Sequence, residues 1–343
     1  MMSNIQNNIR HMSSGGINRA MKVISNIFYR LGVLPFLLLI AVVTFTLLSG
    51  NFLTTDNLLN VARQSTYLIL VAMGQMFALL TGGFDLSVGV IIALTSVIAA
   101  MVMAWANLHW PGQVELAIFV GSVAGLLAGM SIGVINGLGV AYGRVSPFMM
   151  TLGMSSIGLG FALYLTGGTP VYGMPESFSD LFGFGQILGV PTPVVITLAI
   201  AVFLWFFLNY TVGGRYFYAV GGNVKAARLS GINTKLVLFS TYVLCALLAA
   251  ISGLLLTARL ETGEANIGAS LPLESIAACV IAGVSLRGGV GRLPSVVMGA
   301  LFIGLIQNGM NLAKVGSYFQ TVVIGVLLII AVLADQFRQR MGK

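Results

Sequence analysis

Apolar runs of about 20 residues, separated by short polar or glycine-rich breaks, recur along the chain and constrain the fold more than any other feature. A hydrocarbon core about 30 Å thick is crossed by about 20 helical residues, so each run is read as one crossing. Ten runs emerge, near residues 33–49, 66–81, 86–105, 114–140, 147–166, 191–209, 236–258, 272–286, 294–312 and 317–334. The second and eighth are short and bounded by glycine, which leaves open whether they are broken or re-entrant. The fold class is therefore expected to be all-α, a polytopic membrane protein of about ten transmembrane helices. Composition agrees, because 57% of the 343 residues are hydrophobic and 8% charged, against about 25% charged in a soluble domain. The formal charge of +8 comes from scattered residues rather than a basic patch, which excludes a disordered chain and a nucleic-acid binder.

Basic loops resist translocation, so the Lys/Arg distribution sets orientation. With the N-terminus inside, 14 of the 17 basic residues fall in cytoplasmic segments, and only Arg63, Arg259 and Lys314 fall outside. Seven of the nine acids (Asp56, Glu115, Glu176, Asp180, Glu261, Glu264 and Glu274) lie on the outer side. An even number of spans then places both termini in the cytoplasm. The expected organisation is a polar basic segment over 1–30, a permease domain over 31–337 with a cytoplasmic segment at 210–235, and a tail over 338–343. No small-residue cleavage site follows the first run, so that run reads as an uncleaved signal anchor.

Several chemistries are disfavoured. Cys245 and Cys279 lie in apolar runs without metal spacing, and His11 and His109 are far from both. No G-x-x-x-x-G-K-[ST] occurs, so the chain has no phosphate loop of its own. No Ser/His, double-Asp or His/Glu set lies inside the spans, which argues against an intramembrane enzyme. No Asp, Glu or Lys sits mid-span either, although ion-driven carriers usually place ionisable groups or broken helices there.

Gly121, Gly125, Gly129, Gly133 and Gly137 recur every fourth residue through the fourth run. Lipid gives helices no hydrophobic reason to associate, and close backbone approach substitutes for it. Each step drifts about 40° around the helix, so the ladder is expected to serve two neighbours at different depths. Packing within one subunit and a seam between subunits both remain open. Asn223 is a plausible cap and Gly231 a plausible stop for a short cytoplasmic helix through Ala226, Ala227, Arg228, Leu229 and Ser230. Such a helix serves as a docking element or only as a topogenic basic loop. In Thr81-Gly82-Gly83-Phe84-Asp85, paired glycines break the chain, and Asp85 either caps the next helix or marks a gate beside a transport path. Gly283 to Gly291 has the same texture, and an internal repeat is unproven. Gln75, Asn136, Gln307, Asn308 and Asn311 either line a path for a hydroxyl-rich solute or bond across helices. The outer loop 167–190, with Tyr172, Phe178 and Phe184 among acids, is a docking surface or an interfacial belt.

Three motifs then stand in order: Gly82-Gly83-Phe84-Asp85-Leu86-Ser87-Val88-Gly89, Gly221-Gly222-Asn223 through Gly231-Ile232, and Ile276-Ala277-Ala278 leading to Gly288-Gly289-Val290-Gly291-Arg292. Together they make the chain resemble the ribose-type sugar permeases of bacterial ATP-binding-cassette (ABC) importers, from about residue 30 to residue 337. The resemblance implies a transport subunit of the inner membrane that does no chemistry itself. It implies a second permease subunit, identical or different, and a cytoplasmic ATPase that binds ATP and Mg. It further implies a periplasmic binding protein that delivers a small carbohydrate, and it assigns Asn223 to Ser230 to coupling with the ATPase. Alternatives are an importer of a nucleoside, a branched-chain amino acid or a signalling molecule, and a secondary carrier. The chain departs from the expected pattern at Pro272, where an acid is expected, and at Arg287, where a small residue is expected.

Overall fold

The chain answers the demand that every backbone N–H and C=O in lipid be paired internally, since all ten apolar runs are helical. The computed structural model describes residues 34–341, with side chains through 333; the basic lead 1–30, the start of the first run and the last two residues lie outside the described residues. In order come α1 Leu34–Leu48, α2 Thr55–Leu80, α3 Val88–His109, α4 Val114–Ala141, α5 Pro147–Thr166 and the short α6 Glu176–Phe182. A hairpin of β1 Gln186–Ile187 and β2 Val190–Pro191 follows, turning through Leu188 and Gly189, both at positive φ. Then come α7 Thr192–Tyr210, α8 Val212–Gly222, α9 Val224–Leu229, α10 Thr234–Leu260, α11 Leu271–Ile281, α12 Leu293–Leu312 and α13 Ser317–Met341. The protein is an all-α polytopic membrane protein, in which α3, α4, α5, α7, α10 and α12 are each long and apolar enough to cross a bilayer.

The second run is not short. Helix α2 has 26 residues, and hydropathy misses its first turns because Asn57, Asn60, Arg63 and Gln64 are polar. From Ser65 to Leu80 every residue of α2 is buried, the mark of a helix enclosed on all sides. Helices α10, α12, α11 and α7 pack around it. The eighth run is short as a helix: α11 has 11 residues, about 16 Å at 1.5 Å per residue, half of a bilayer core. Glu274, counted with the outer acids above, lies in the first turn of α11 and is buried.

The glycine ladder of α4 packs against its own chain along its whole length. A Cβ on Gly121 would strike Met103 of α3, and one on Gly125 would lie 2.7 Å from Thr95 O. At Gly129 the seam changes partner, touching Thr95 and Ile91 of α3 on one side and Ala250 of α10 on the other. Gly133 and Gly137 then face α10, where a Cβ would lie 2.7 Å from Tyr242 O and 2.9 Å from Phe239 O. The drift of the every-fourth spacing thus carries one seam from α3 to α10. Gly129→Leu is expected to lower the melting temperature of the detergent-solubilised protein sharply, because overpacking here meets two helices at once and ordinary overpacking already costs about 1–3 kcal/mol. Gly50→Leu, where a side chain meets nothing within 4 Å, is expected to melt like the parent; equal melting of both variants would remove the ladder from the packing account.

Candidate functional site

Two features stand out, one at each end of α2. At its C-terminal end the three glycine-rich segments converge. The Gly289 N–H donates to Leu80 C=O at 2.9 Å, and Gly221 at the end of α8 lies so close that a Cβ there would overlap the same carbonyl oxygen. Gly288 and Gly289 hold φ of 91° and 73°, which an L side chain adopts only with strain, and Cβ atoms on them would lie 2.8 Å from Gly221 O and Gly222 Cα. Gly82, also at positive φ, faces Arg287 O. Tyr218 Oη donates to Gly291 C=O at 3.1 Å, and Phe217 packs edge-on against Phe77 with centroids 5.0 Å apart. Helix α8 is thereby joined both to the end of α2 and to the α11–α12 connection.

Helix α9 continues from α8 through Asn223, whose Oδ1 accepts from Ala226 N–H at 3.0 Å. It stops at Gly231, φ 83°, where Ile232 N–H returns to Ala227 C=O at 3.1 Å. Lys225, Ala226, Arg228, Leu229 and Ser230 are exposed, with Leu229 at 89%. Ala227 is not: it is buried against the core, since side chains about 100° apart on a one-turn helix cannot all avoid the bundle. The surface offered outward is therefore the rest of the segment.

Beyond the junction the chain does not leave the bundle. Residues 84–87 fold back beside α2, and Gln75 pairs with them: oriented by its partners, its amide donates to Asp85 C=O at 3.1 Å and accepts from Asp85 N–H at 3.0 Å. Asp85 Oδ1 accepts from Ser87 N–H at 2.8 Å and Ser87 Oγ at 2.6 Å, and Asn136 Nδ2 donates to Ser87 Oγ at 2.8 Å. Gln75, Asp85 and Asn136 are each fully buried. These bonds pair the backbone N–H and C=O of Asp85 and the N–H of Ser87 inside protein, the condition under which an irregular segment persists at membrane depth. Helix α3 consequently begins well inside the bundle, where Gly89 meets Gly268 and the ring of Pro272 at the start of α11. Two helix N-termini meet there, and Pro272 supplies packing at the position of the expected acid.

The remaining polar candidates lie elsewhere. Asn308 exchanges two hydrogen bonds with Asn57, at 3.0 and 2.9 Å, joining α12 to the first turn of α2. Asn311 Oδ1 accepts from Gln320 Nε2 at 2.7 Å. Near that other end, between α2, α10, α11 and α12, is a cavity of about 480 Å³. Gln307 lines it, whereas none of Gln75, Asp85, Asn136, Asn308 and Asn311 does. Its other polar groups are Asn60, Arg63, Gln64, Tyr67, Arg259 and Ser270. Sequence reasoning missed this site although its signal was present, because Arg63 and Arg259 are two of the three exceptions to the charge bias, and the fold brings both to one cavity. Among the described residues, no group of His, Cys, Asp and Glu is placed to hold a metal.

Comparison with known proteins places this geometry. The family described as branched-chain amino acid transport system / permease component matches residues 57–332. The chain belongs to that permease family. The matched region of this permease holds the glycine junction, α9, both arginines and the cavity. It is 40% identical over 311 residues to the ribose import permease protein RbsC of Escherichia coli (strain K12), covering 90% of this chain and 93% of that protein. It is 40% identical over 305 residues to RbsC of Bacillus subtilis (strain 168), covering 88% and 92%. The D-allose transport system permease protein AlsC of Escherichia coli (strain K12) is 38% identical over 304 residues, covering 88% and 90%. No solved structure matches the permease.

Proposed function

We propose that this permease is the membrane-spanning subunit of an ABC importer that carries a small carbohydrate of the ribose type inward across the inner membrane. Two permease subunits form the pathway, a periplasmic binding protein delivers the solute, and ATP and Mg are bound by a partner ATPase. The observation that carries the reading is the junction of Leu80, Gly221 and Gly289, which ties the outward-facing α9 to the turns that end α2 and α11. A push on α9 is therefore delivered to both turns at once. The cavity at the opposite end of α2 is floored by Leu68 and Leu271, close to where the N-termini of α3 and α11 meet. Movement of these short, inwardly starting helices exchanges access to the cavity between the two membrane faces. An energy source has leverage on such a gate only through differential affinity for its two states, and nucleotide-driven closure of an ATPase pair pressing on α9 supplies it.

The reading places α9 and both termini in the cytoplasm and loop 167–190 outside. Ser177 and Ser230 are exposed, whereas Ser179 is buried and unsuited as a reporter. Single cysteines at 177 and 230 are expected to behave oppositely in whole cells, with an impermeant thiol reagent labelling the first only. Labelling of Ser230→Cys without lysis would place α9 outside and exclude its contact with a cytoplasmic ATPase. A second comparison tests docking: Leu229→Glu is expected to reduce co-purification with the ATPase while leaving membrane insertion intact. Unchanged co-purification together with unchanged uptake would remove α9 from the mechanism.

A further inference from the structure

Resting on the permease reading, the cavity on α2 has a chemical character that a neutral sugar does not require. Two arginines, Arg63 and Arg259, line it, and no acidic residue does. Glu274, one turn further along α11, is not part of the lining, and Glu264 hydrogen-bonds with Thr262 instead. The Tyr67 hydroxyl and Arg63 Nε are buried without a hydrogen-bond partner among the described residues, and Tyr67 as a whole is 6% exposed. Buried donors are ordinarily satisfied, so these two unpaired groups beside the cavity become available to an acceptor once a side-chain movement exposes them. The Arg259 guanidinium carbon lies over the Phe184 ring, 4.5 Å from its centroid, a cation–π contact that uses the face of the group and not its N–H donors. The N-terminus of the 11-residue α11, at Ser270 and Leu271, turns the positive end of its dipole to the same space.

We propose that the cavity, besides admitting a neutral sugar, holds more tightly a carbohydrate that carries one acidic group, with Arg63, Arg259 and Tyr67 holding a carboxylate and the amides of Asn60, Gln64 and Gln307 receiving hydroxyls. A carboxylate accepts paired N–H donors from a guanidinium in charge-assisted hydrogen bonds, whereas a hydroxyl gives each arginine one weaker, neutral acceptor. The size of the cavity suits a monosaccharide, and its excess positive charge favours the acid over the neutral sugar of the same shape.

The test compares D-galacturonate with D-galactose, which differ at one carbon, on the permease–ATPase complex in phosphatidylcholine nanodiscs. The reporter is the rate at which a small thiol reagent modifies Ser270→Cys, at the exposed cavity mouth. D-Galacturonate is expected to slow modification at a concentration at least about tenfold below that at which D-galactose does, the scale of one charge-assisted contact. Arg63→Gln with Arg259→Gln should remove the difference, and Arg63→Lys with Arg259→Lys should keep part of it, which separates lost charge from lost folding. Equal protection by the two sugars, or protection by neither, overturns the proposal. Protection that arises only when phosphatidylglycerol is added to the discs, with no sugar present, also overturns it by assigning the site to a lipid headgroup. Failure of ATP-driven uptake of any carbohydrate would instead strike the permease reading itself.

Discussion

Gly221→Ala is expected to abolish uptake while leaving the ATPase bound. The methyl group would overlap the Leu80 carbonyl oxygen and lie 2.6 Å from Gly289 N, and both neighbours are backbone atoms that cannot rotate away. The segment must therefore separate, which breaks the Gly289 to Leu80 hydrogen bond and withdraws α8 from α2. The cost exceeds the about 1–3 kcal/mol of overpacking against side chains, yet it falls on one junction at the edge of the bundle. The exposed face of α9 is left unchanged. Uptake into proteoliposomes should fall to background, whereas co-purification with the ATPase should match the parent. Gly222→Ala, next in sequence and with nothing within 4 Å of a Cβ, should retain activity. Normal uptake by Gly221→Ala would show that force does not pass through this contact.

Gln75→Leu is expected to give the largest loss of stability of any single polar-to-apolar change in the bundle. Leucine suits a membrane helix and matches the apolar neighbours of position 75, so hydropathy alone predicts stabilisation. The fold predicts the opposite. Removal of the amide orphans the N–H and C=O of Asp85, both buried, at about 1–3 kcal/mol for each group. It also loosens the Asp85–Ser87–Asn136 network behind them. Thermal unfolding in detergent, followed by loss of the monodisperse species, should shift downward by many degrees, and Gln75→Glu should be less damaging when its carboxyl is protonated, because the neutral acid keeps both an acceptor and a donor. A variant with leucine at 75 that melts at or above the parent temperature would show that this pairing contributes nothing.

These two residues also show where sequence reading succeeds and where it stops. The run read at 147–166 is α5 residue for residue, and the other long apolar runs fall within a few residues of their helices, except that α13 runs on past 334 to Met341, because lipid makes hydropathy and helix length nearly the same signal. The ladder from Gly121 to Gly137 was legible as a seam with two partners because its angular drift is a property of the helix alone. What hydropathy does not carry is depth. The short length of α11 was visible, but its start inside the bundle against Gly89 depends on contacts between segments more than 150 residues apart. Asp85 was recognised as lying at a break, yet the pairing that holds the break, from Gln75, is tertiary. Arg63 and Arg259 were seen only as exceptions to a charge count, because nothing in one dimension brings position 63 beside position 259. Ala227 was grouped with its neighbours because small exposed and small buried residues look alike in a six-residue helix.

An ATPase acting through α9 and the glycine junction is proposed to drive solute across these helices. The most direct test is uptake of radiolabelled sugar into proteoliposomes that contain the permease and its ATPase, with the binding protein outside and ATP trapped inside. Accumulation is expected to require ATP and the binding protein, to persist when an uncoupler collapses ion gradients, and to vanish when the ATPase is left out. Accumulation by the permease alone under an imposed proton or Na⁺ gradient would contradict ATP-driven coupling and make the protein a secondary carrier.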